Sequence, residues 1–204
     1  DAAVATAAAL NVLEPMSTGI GGDMFALVWM NNTKKVVAVN GSGRSASAAN
    51  TQDVKDKGYS EIPNNGPHAG LAVSVPGTVD GWQTCLDKFG QMSMSEVLKP
   101  AIKYAKEGFA VSQVIANAWK DSVPLLSQRK SGTQMLPGGK APSYGEIVKF
   151  PELAKSLDSI AKEGPEAFYK GDIARKISEY VQLEGGWLTT EDLSNHSSSI
   201  DIPI

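Results

Sequence analysis

The chain has 204 residues, of which 42% are hydrophobic and 20% are charged, a composition typical of a folded protein rather than a disordered segment. Its formal net charge of -3 provides no broad basic surface, so nucleic acid is not an expected partner. The sequence has no run of about 18 apolar residues, so no membrane span is expected in this chain.

The chain is predicted to open with a helix over Asp1–Leu13. Alanine and leucine are good helix formers, Asp1 suits the positive end of the helix dipole, and Pro15 ends the element. Because most of its residues are apolar, we expect this helix to be buried on most sides. The segment lacks the basic start and small-residue cleavage site of a signal peptide, and the cellular compartment stays open.

A glycine-rich turn, Gly19–Gly22, precedes two segments rich in β-branched and aromatic residues. Met24–Met30 and Lys34–Asn40 are predicted to form a hairpin with a tight turn at Asn31–Asn32, because asparagine tolerates a positive φ. The dinucleotide fingerprint G-x-G-x-x-G would require glycine where Met24 stands, and it would be followed by a helix instead of a strand. The glycines therefore indicate a tight turn, with room for close approach of a substrate.

Arg44 is the candidate binding residue, and it lies in the loop Asn40–Ser45 at the end of the second strand. A guanidinium is a permanent cation whose planar set of donors can bind a carboxylate at two points. An arginine beside glycine and serine in a loop is more often a solvated surface group. The local pattern alone leaves both interpretations open.

The middle of the chain is predicted to alternate short elements and loops. The predicted elements are a helix over Asn50–Lys57 capped by Asn50, a surface loop over Gly58–Gly70, a buried strand over Leu71–Val75 and a helix over Thr78–Phe89.

From Ser93 onward the sequence is predicted to be mainly helical. Helices are expected over Met94–Lys106, from Ser112 to about Asp121 with a resumption after Pro124, from Pro151 to Gly164, and around Ile173–Val181. Residues 131–149 are predicted to be a loop and a candidate flap, and residues 195–204 an extended tail.

Other residues with potential chemistry favour structural interpretations. Ser74 does not meet the pattern G-x-S-x-G, and His68 and His196 stand in no metal-ligand spacing. Cys85 has no second cysteine to pair with, and its helical, apolar context predicts a buried packing role rather than a reactive thiol. The pair Thr189-Thr190 precedes acidic residues, which is how a capped helix begins.

Several blocks of sequence together resemble one family, the γ-glutamyltransferases (γ-glutamyl transpeptidases), in its N-terminal half. The resemblance rests on residues 1–10, 14–15 and 17–25 and on the blocks Gly70–Gly81, Glu107–Ser112, Gly164–Gly171 and Gly185–Leu193, which follow one another in the family's order. It covers nearly the whole chain and is therefore more specific than any single glycine motif.

The resemblance implies a fold and an enzyme made of two different chains. The family belongs to the N-terminal-nucleophile hydrolases, so the expected fold is α+β, a four-layer αββα sandwich that this chain would supply only in part. The chain is expected to be one partial domain of the large subunit, with residues 1–92 contributing to the sheet and residues 93–204 mainly helical. The partner would be a small subunit whose N-terminal threonine is the nucleophile, and no cofactor is expected.

The resemblance also implies a role for Arg44. In the family, an arginine of the large subunit binds the α-carboxylate of a γ-glutamyl donor such as glutathione, and water or an amino acid is the acceptor. Arg44 matches that arginine, whereas Ser45 stands where many relatives have glutamate, which puts the donor itself in question. Two alternatives stay open, namely an acylase of the same superfamily acting on a glutaryl or β-lactam side chain, and a catalytically silent binding or scaffold relative.

Overall fold

The structure is a computed structural model that describes residues 1–203, apart from the side chains of Lys130 and Ser131. The chain folds into two compact units. The first joins Asp1–Gly19 with Ser95–Asp158, and the second joins Ile20–Met94 with the chain from Ser159 onward.

The helices and strands occur in the following order. They are α1 (Ala2–Leu13), β1 (Met24–Met30), β2 (Lys35–Gly41), α2 (Thr51–Asp56), a 3-10 helix (Gly66–Ala72), α3 (Thr78–Phe89), α4 (Met94–Glu107), β3 (Phe109–Ala110), α5 (Gln113–Leu126), α6 (Lys130–Thr133), a 3-10 turn (Pro137–Gly139), β4 (Ile147–Val148), α7 (Pro151–Glu163), α8 (Glu166–Tyr169), α9 (Asp172–Leu183), α10 (Thr190–Ser194) and β5 (Ser199–Asp201).

The second unit is built on a three-stranded antiparallel sheet in the order β1-β2-β5. The predicted hairpin is confirmed, with pairing from Met24↔Gly41 to Met30↔Lys35. Its turn differs from the prediction, because four residues connect the strands and Lys34 takes the positive φ of 54°. Asn31 and Asn32 instead act through their side chains, which accept hydrogen bonds from Lys34 Nζ and from the Thr33 N–H.

Helix α3 packs on one face of this sheet, and its position agrees with the prediction. Gly81 of α3 lies against Met24 and Gly41, where a larger side chain would separate the helix from the hairpin. The inward Val39 and the helix residues Val79 and Trp82 are almost fully buried. These contacts hold α3 against the open end of the hairpin.

The opposite face of the hairpin is open. Phe25, Leu27 and Trp29 alternate with inward residues along β1 and are 68%, 72% and 57% exposed. Val36 lies beside Trp29 on the same face and is also exposed. These four side chains are called the outer face of the hairpin below.

The first unit is mainly helical and has its own core. Trp119 of α5 stacks on Phe150 at 6.0 Å between ring centroids, and its indole N–H donates to the Met135 carbonyl at 2.7 Å. Strands β3 and β4 form a two-stranded antiparallel pair beside these aromatic rings. Helix α1 buries Val4, Ala8, Asn11 and Val12.

Several sequence predictions in the loops and helices are wrong. Residues 71–75 do not form a strand, because Gly70 and Leu71 lie in the 3-10 helix and the Gly70 N–H donates to Glu184 at the end of α9. Helix α5 does not stop at Asp121. Pro124 removes one N–H, and regular bonding resumes at once with Ser127 donating to Val123.

Two further expectations require correction. Residues 131–149 are not one loop, since they include most of α6, a 3-10 turn and β4. Helix α1 is not buried on most sides, since Ala2, Ala3, Thr6 and Leu10 are exposed. Within residues 1–203, no helix combines the length and apolar character required to cross a membrane.

Candidate functional site

The end of β2 places Arg44 on a loop whose backbone is held from both sides. The Ser42 N–H donates to the Asn40 side-chain oxygen, and the Gly43 N–H donates to Oδ1 of Asp23, each at 2.9 Å. Asp23 is the residue directly before β1, so both strands of the hairpin hold the loop. The backbone preceding Arg44 therefore has a defined path.

A second segment, Val75–Thr78, packs directly against this loop. The Val75 N–H donates to the Arg44 carbonyl at 2.9 Å. A Cβ atom on Gly43 would lie 1.5 Å from the Val75 oxygen, and one on Gly77 would lie 1.8 Å from the Gly41 oxygen. Only glycine allows such close approach of two backbones.

The glycine-rich turn before β1 completes the support. The carbonyl of Gly22 accepts hydrogen bonds from the N–H groups of Gly77 and Thr78, both at 3.0 Å, and from the Thr78 hydroxyl at 2.7 Å. The predicted tight turn is thus bonded to the start of α3. Three stretches far apart in sequence meet around Arg44.

The Arg44 side chain itself is exposed. Among residues 1–203, no side chain or backbone group forms a hydrogen bond or ion pair with its guanidinium. A fixed backbone carrying an unpaired guanidinium is an arrangement that can bind a carboxylate, because no internal anion competes for it. The residue stands where the sequence predicted, and its role in binding stays a prediction.

Three acid or base groups surround the loop. Asp23 and Asp80 raise the pKa of His196, while Arg44 lowers it. Burial has the largest effect and holds the pKa of His196 below its usual value. His196 therefore lies within the electrostatic influence of two carboxylates and of Arg44, and burial favours its neutral form.

Sequence analysis missed the contribution of Tyr169. Its buried hydroxyl donates to the Pro76 carbonyl at 2.7 Å and accepts from the Asp80 N–H at 3.2 Å. Tyr169 and Asp80 both lie in blocks that carry the family resemblance, which was the available signal. Their proximity was hidden because 89 positions separate them.

The cavity that begins beside Arg44 has a volume of about 310 Å³. It is lined by Ser45, Val54, Tyr59, Ile62 and Trp187, among others, and Arg44 does not line it. A larger cavity of about 680 Å³ lies in the first unit, between α5 and residues 139–144. The Arg44 side chain therefore lies on the surface of this chain and does not line either cavity.

No nucleophile is assembled around Arg44 within the part of the chain that the structure describes. Thr189 caps α10, accepting from the Asp192 N–H while Asp192 accepts from the Thr189 N–H, as predicted.

Cys85 is half-buried on α3, and burial raises the pKa of its thiol. No group of three or more metal-ligating side chains occurs among residues 1–203.

The sequence as a whole matches the family model described as gamma-glutamyltranspeptidase, over residues 1–204. The chain belongs to the γ-glutamyltranspeptidase family. A glutathione hydrolase-like YwrD proenzyme from Bacillus subtilis (strain 168) is 40% identical over the whole chain. The chain spans 38% of the length of that relative.

Solved structures of the family and of an acylase superpose on the chain. The γ-glutamyltranspeptidase of Helicobacter pylori gives a TM-score of 0.91 at 30% identity, covering 99% of this chain and 58% of that one. A cephalosporin acylase from Bacillus halodurans gives 0.89 at 37% identity, covering 99% of this chain and 38% of that one.

These neighbours confirm the expected fold class. The γ-glutamyltranspeptidase family has the α+β, αββα sandwich of the N-terminal-nucleophile hydrolases. This chain contributes the sheet β1-β2-β5 with α3 on one face.

Proposed function

We propose that this chain is part of the large subunit of a γ-glutamyl-transferring amidohydrolase, in which Arg44 binds the α-carboxylate of the donor. Family membership over residues 1–204 supports the activity class. The unpaired guanidinium on a backbone held by Gly43, Val75 and Asp23 is the observation that carries the binding role. The donor would be glutathione or another γ-glutamyl compound.

The proposed reaction uses a nucleophile outside these 204 residues. An N-terminal threonine of the small subunit attacks the γ-amide carbon, with its own α-amine or an adjacent water as the base. The amine leaves, a γ-glutamyl ester forms, and water or an amino acid then releases the glutamyl group. Arg44 would fix the acid end of the donor, so that the amide carbon stays within reach of the threonine.

A partner chain is part of the proposal. The outer face of the hairpin presents Phe25, Leu27 and Trp29 to solvent in this chain, whereas large apolar side chains in a strand are normally covered. The B. subtilis relative is named a proenzyme, which supports processing of one precursor into two chains. No cofactor is required by this mechanism.

The decisive experiment uses the complete protein, including the residues beyond this chain. We expect two bands on a denaturing gel and release of nitroaniline from a γ-glutamyl anilide. Arg44→Ala is expected to raise the donor KM by about 10- to 100-fold while leaving self-cleavage intact, since a charge-assisted hydrogen bond contributes about 1.5–3 kcal/mol. Arg44→Lys should recover only part of the affinity.

The matched control is Arg175→Ala. Arg175 lies on α9, and its guanidinium already pairs with Glu179 at 2.8 Å and with Asp172. Its removal should leave the donor KM unchanged. Equal donor kinetics for Arg44→Ala and the wild type would reject the binding role, and a single uncut, inactive chain would favour a silent relative.

An acylase is the second candidate, because the cephalosporin acylase is 37% identical to the chain. The two donors differ at one carbon, since a glutaryl side chain lacks the α-amino group of a γ-glutamyl group. We expect the γ-glutamyl anilide to have the higher kcat/KM. A higher kcat/KM for the glutaryl anilide would favour the acylase over the γ-glutamyl-transferring enzyme.

A further inference from the structure

The Pro76-Gly77 turn behind the Arg44 loop is held by a side chain from a distant part of the sequence. The Tyr169 hydroxyl is buried and sits between two backbone groups of the turn and of α3. It donates to the Pro76 carbonyl at 2.7 Å and accepts from the Asp80 N–H at 3.2 Å. Burial raises the pKa of this phenol, so it stays protonated and able to donate.

The ring of Tyr169 contacts two other rings. Phe168 meets it edge-on at 4.9 Å, and His196 stacks on it at 5.3 Å with 26° between the planes. His196 Nε2 is buried without a hydrogen bond from residues 1–203, and lies 3.2 Å from where a Cβ on Gly77 would be. The imidazole thus closes the space beside the turn.

The tail of the chain is tied to the same point. The Ser198 N–H donates to Oδ2 of Asp80 at 2.6 Å, one residue before β5 begins. Asp80 therefore takes part through both its backbone and its carboxylate. Residues from α3, α8 and the segment before β5 converge on one turn.

Backbone contacts connect the Pro76-Gly77 turn to the Arg44 loop. Val75, directly before Pro76, donates its N–H to the Arg44 carbonyl at 2.9 Å, and Gly77 abuts Gly41. A shift of the turn would therefore move the peptide groups on both sides of the guanidinium's attachment point.

We propose that Tyr169 is a positioning residue for donor recognition, which acts through the Pro76-Gly77 turn to fix the backbone that carries Arg44. This inference rests on the proposed function of Arg44. Tyr169 touches no substrate and is not catalytic. Its hydroxyl, rather than its ring, is the group that carries the effect.

The first test is kinetic and uses the complete two-chain protein. Tyr169→Phe keeps the ring and removes the hydroxyl. We expect the donor KM to rise about 5- to 10-fold with kcat within about twofold, because one buried hydrogen-bonding group is lost without a change in the nucleophile. Tyr104→Phe is the control, since Tyr104 lies on α4 and is 40% exposed.

The double variant separates positioning from general stability. If Tyr169 acts through Arg44, then Tyr169→Phe in an Arg44→Ala background should change the donor KM by less than about twofold. Multiplicative effects in the double variant would overturn the proposal. So would a Tyr169→Phe protein that fails to fold or to cleave itself, because the hydroxyl would then be a general structural requirement.

The second test does not depend on activity. Amide hydrogen exchange in the complete protein should be about 5- to 10-fold faster at Gly43 and Val75 in Tyr169→Phe, and unchanged in Tyr104→Phe. If exchange at Gly43 and Val75 is faster in Tyr169→Phe but the wild type has no γ-glutamyl activity, the proposed function is rejected while the coupling of Tyr169 to the Arg44 loop is supported. Unchanged exchange would overturn the inference, whatever the activity of the enzyme.

Discussion

At the scale of single residues, the Arg44 loop depends on glycines that let two backbones come into contact. Gly43 precedes Arg44, and a Cβ there would overlap the Val75 carbonyl oxygen. We expect Gly43→Ala to lower the free energy of unfolding of the complete protein by at least about 3 kcal/mol, because two backbones must separate. Chemical denaturation measures this difference.

Gly21 provides the matched control for that substitution. It lies in the glycine-rich turn, and a Cβ at this position would meet no atom within 4 Å. Gly21→Ala should therefore change the free energy of unfolding little. Equal losses for the two variants would show that the contact between Gly43 and Val75 is not tight.

The imidazole of His196 predicts a dependence of stability on pH. Burial lowers its pKa below the usual value of 6.5, and Arg44 lowers it further, whereas Asp80 and Asp23 raise it. The neutral His196 imidazole contributes fully to the free energy of unfolding above pH 6.5. This contribution is lost as the pH falls from 6.5 through the lowered pKa, because between these two values the unfolded state binds a proton that the folded state does not.

His196→Phe should therefore flatten the decline in stability as the pH falls below about 6.5. The measurement is the free energy of unfolding across that range for wild type and variant. His196→Gln should flatten the curve equally, since neither replacement titrates. An unchanged slope in both variants would contradict a buried neutral imidazole.

At the scale of elements, the N-terminus of α10 is bonded to Ser47, which follows the Arg44 loop. Thr189 and Asp192 form a reciprocal capping box, and the other carboxylate oxygen of Asp192 accepts from the Ser47 N–H at 2.9 Å. The cap thus organises more than its own five-residue helix.

Thr189→Ala should lower the free energy of unfolding by about 1 kcal/mol, the usual effect of removing an N-cap hydroxyl. Thr190→Ala is the control, because Thr190 is the first residue of α10 and not its cap. Thermal or urea unfolding of the complete protein measures both. A larger loss in Thr190→Ala would contradict the assigned cap.

Local signals predicted the elements that depend on local physics. The bounds of α3 and the cap of α10 follow from helix propensity and capping chemistry, and the strands of the hairpin follow from their β-branched and aromatic residues. The strand expected at Leu71–Val75 was wrong because Gly70 bonds to α9, more than 100 positions away. An interruption of α5 was expected between Asp121 and Pro124, yet the missing N–H of Pro124 affects a single bond.

The candidate site was only partly predictable. Arg44 was found through its hairpin and the family resemblance, and local chemistry alone favoured a solvated side chain. The support from Tyr169 and His196 was not found, because it depends on how residues 76, 80, 169 and 196 pack together. Apart from the family blocks that contain residues 76, 80 and 169, the sequence has no signal for such contacts.

At the scale of the whole molecule, the outer face of the hairpin predicts that these 204 residues need further polypeptide. Covering Phe25, Leu27 and Trp29 would contribute about 1.5–3 kcal/mol for each side chain, and β1 is an edge strand with free backbone groups. Expressed alone, the chain should bind a hydrophobic dye and unfold without a sharp transition.

The same face supplies the control. Leu27→Lys should reduce dye binding by the isolated chain and reduce the yield of the two-chain complex when the complete protein is expressed. Scanning calorimetry and dye fluorescence measure these effects. A cooperative thermal transition of the isolated wild-type chain would contradict the need for a partner.

The central claim is that Arg44 recognises the α-carboxylate of the donor. The most direct measurement compares the KM of the complete enzyme for a γ-glutamyl anilide with its KM for the same anilide carrying an α-carboxamide, in wild type and in Arg44→Ala. Removing the carboxylate should weaken binding about 10- to 100-fold in the wild type and less than about twofold in Arg44→Ala. Equal losses in both proteins would contradict the account.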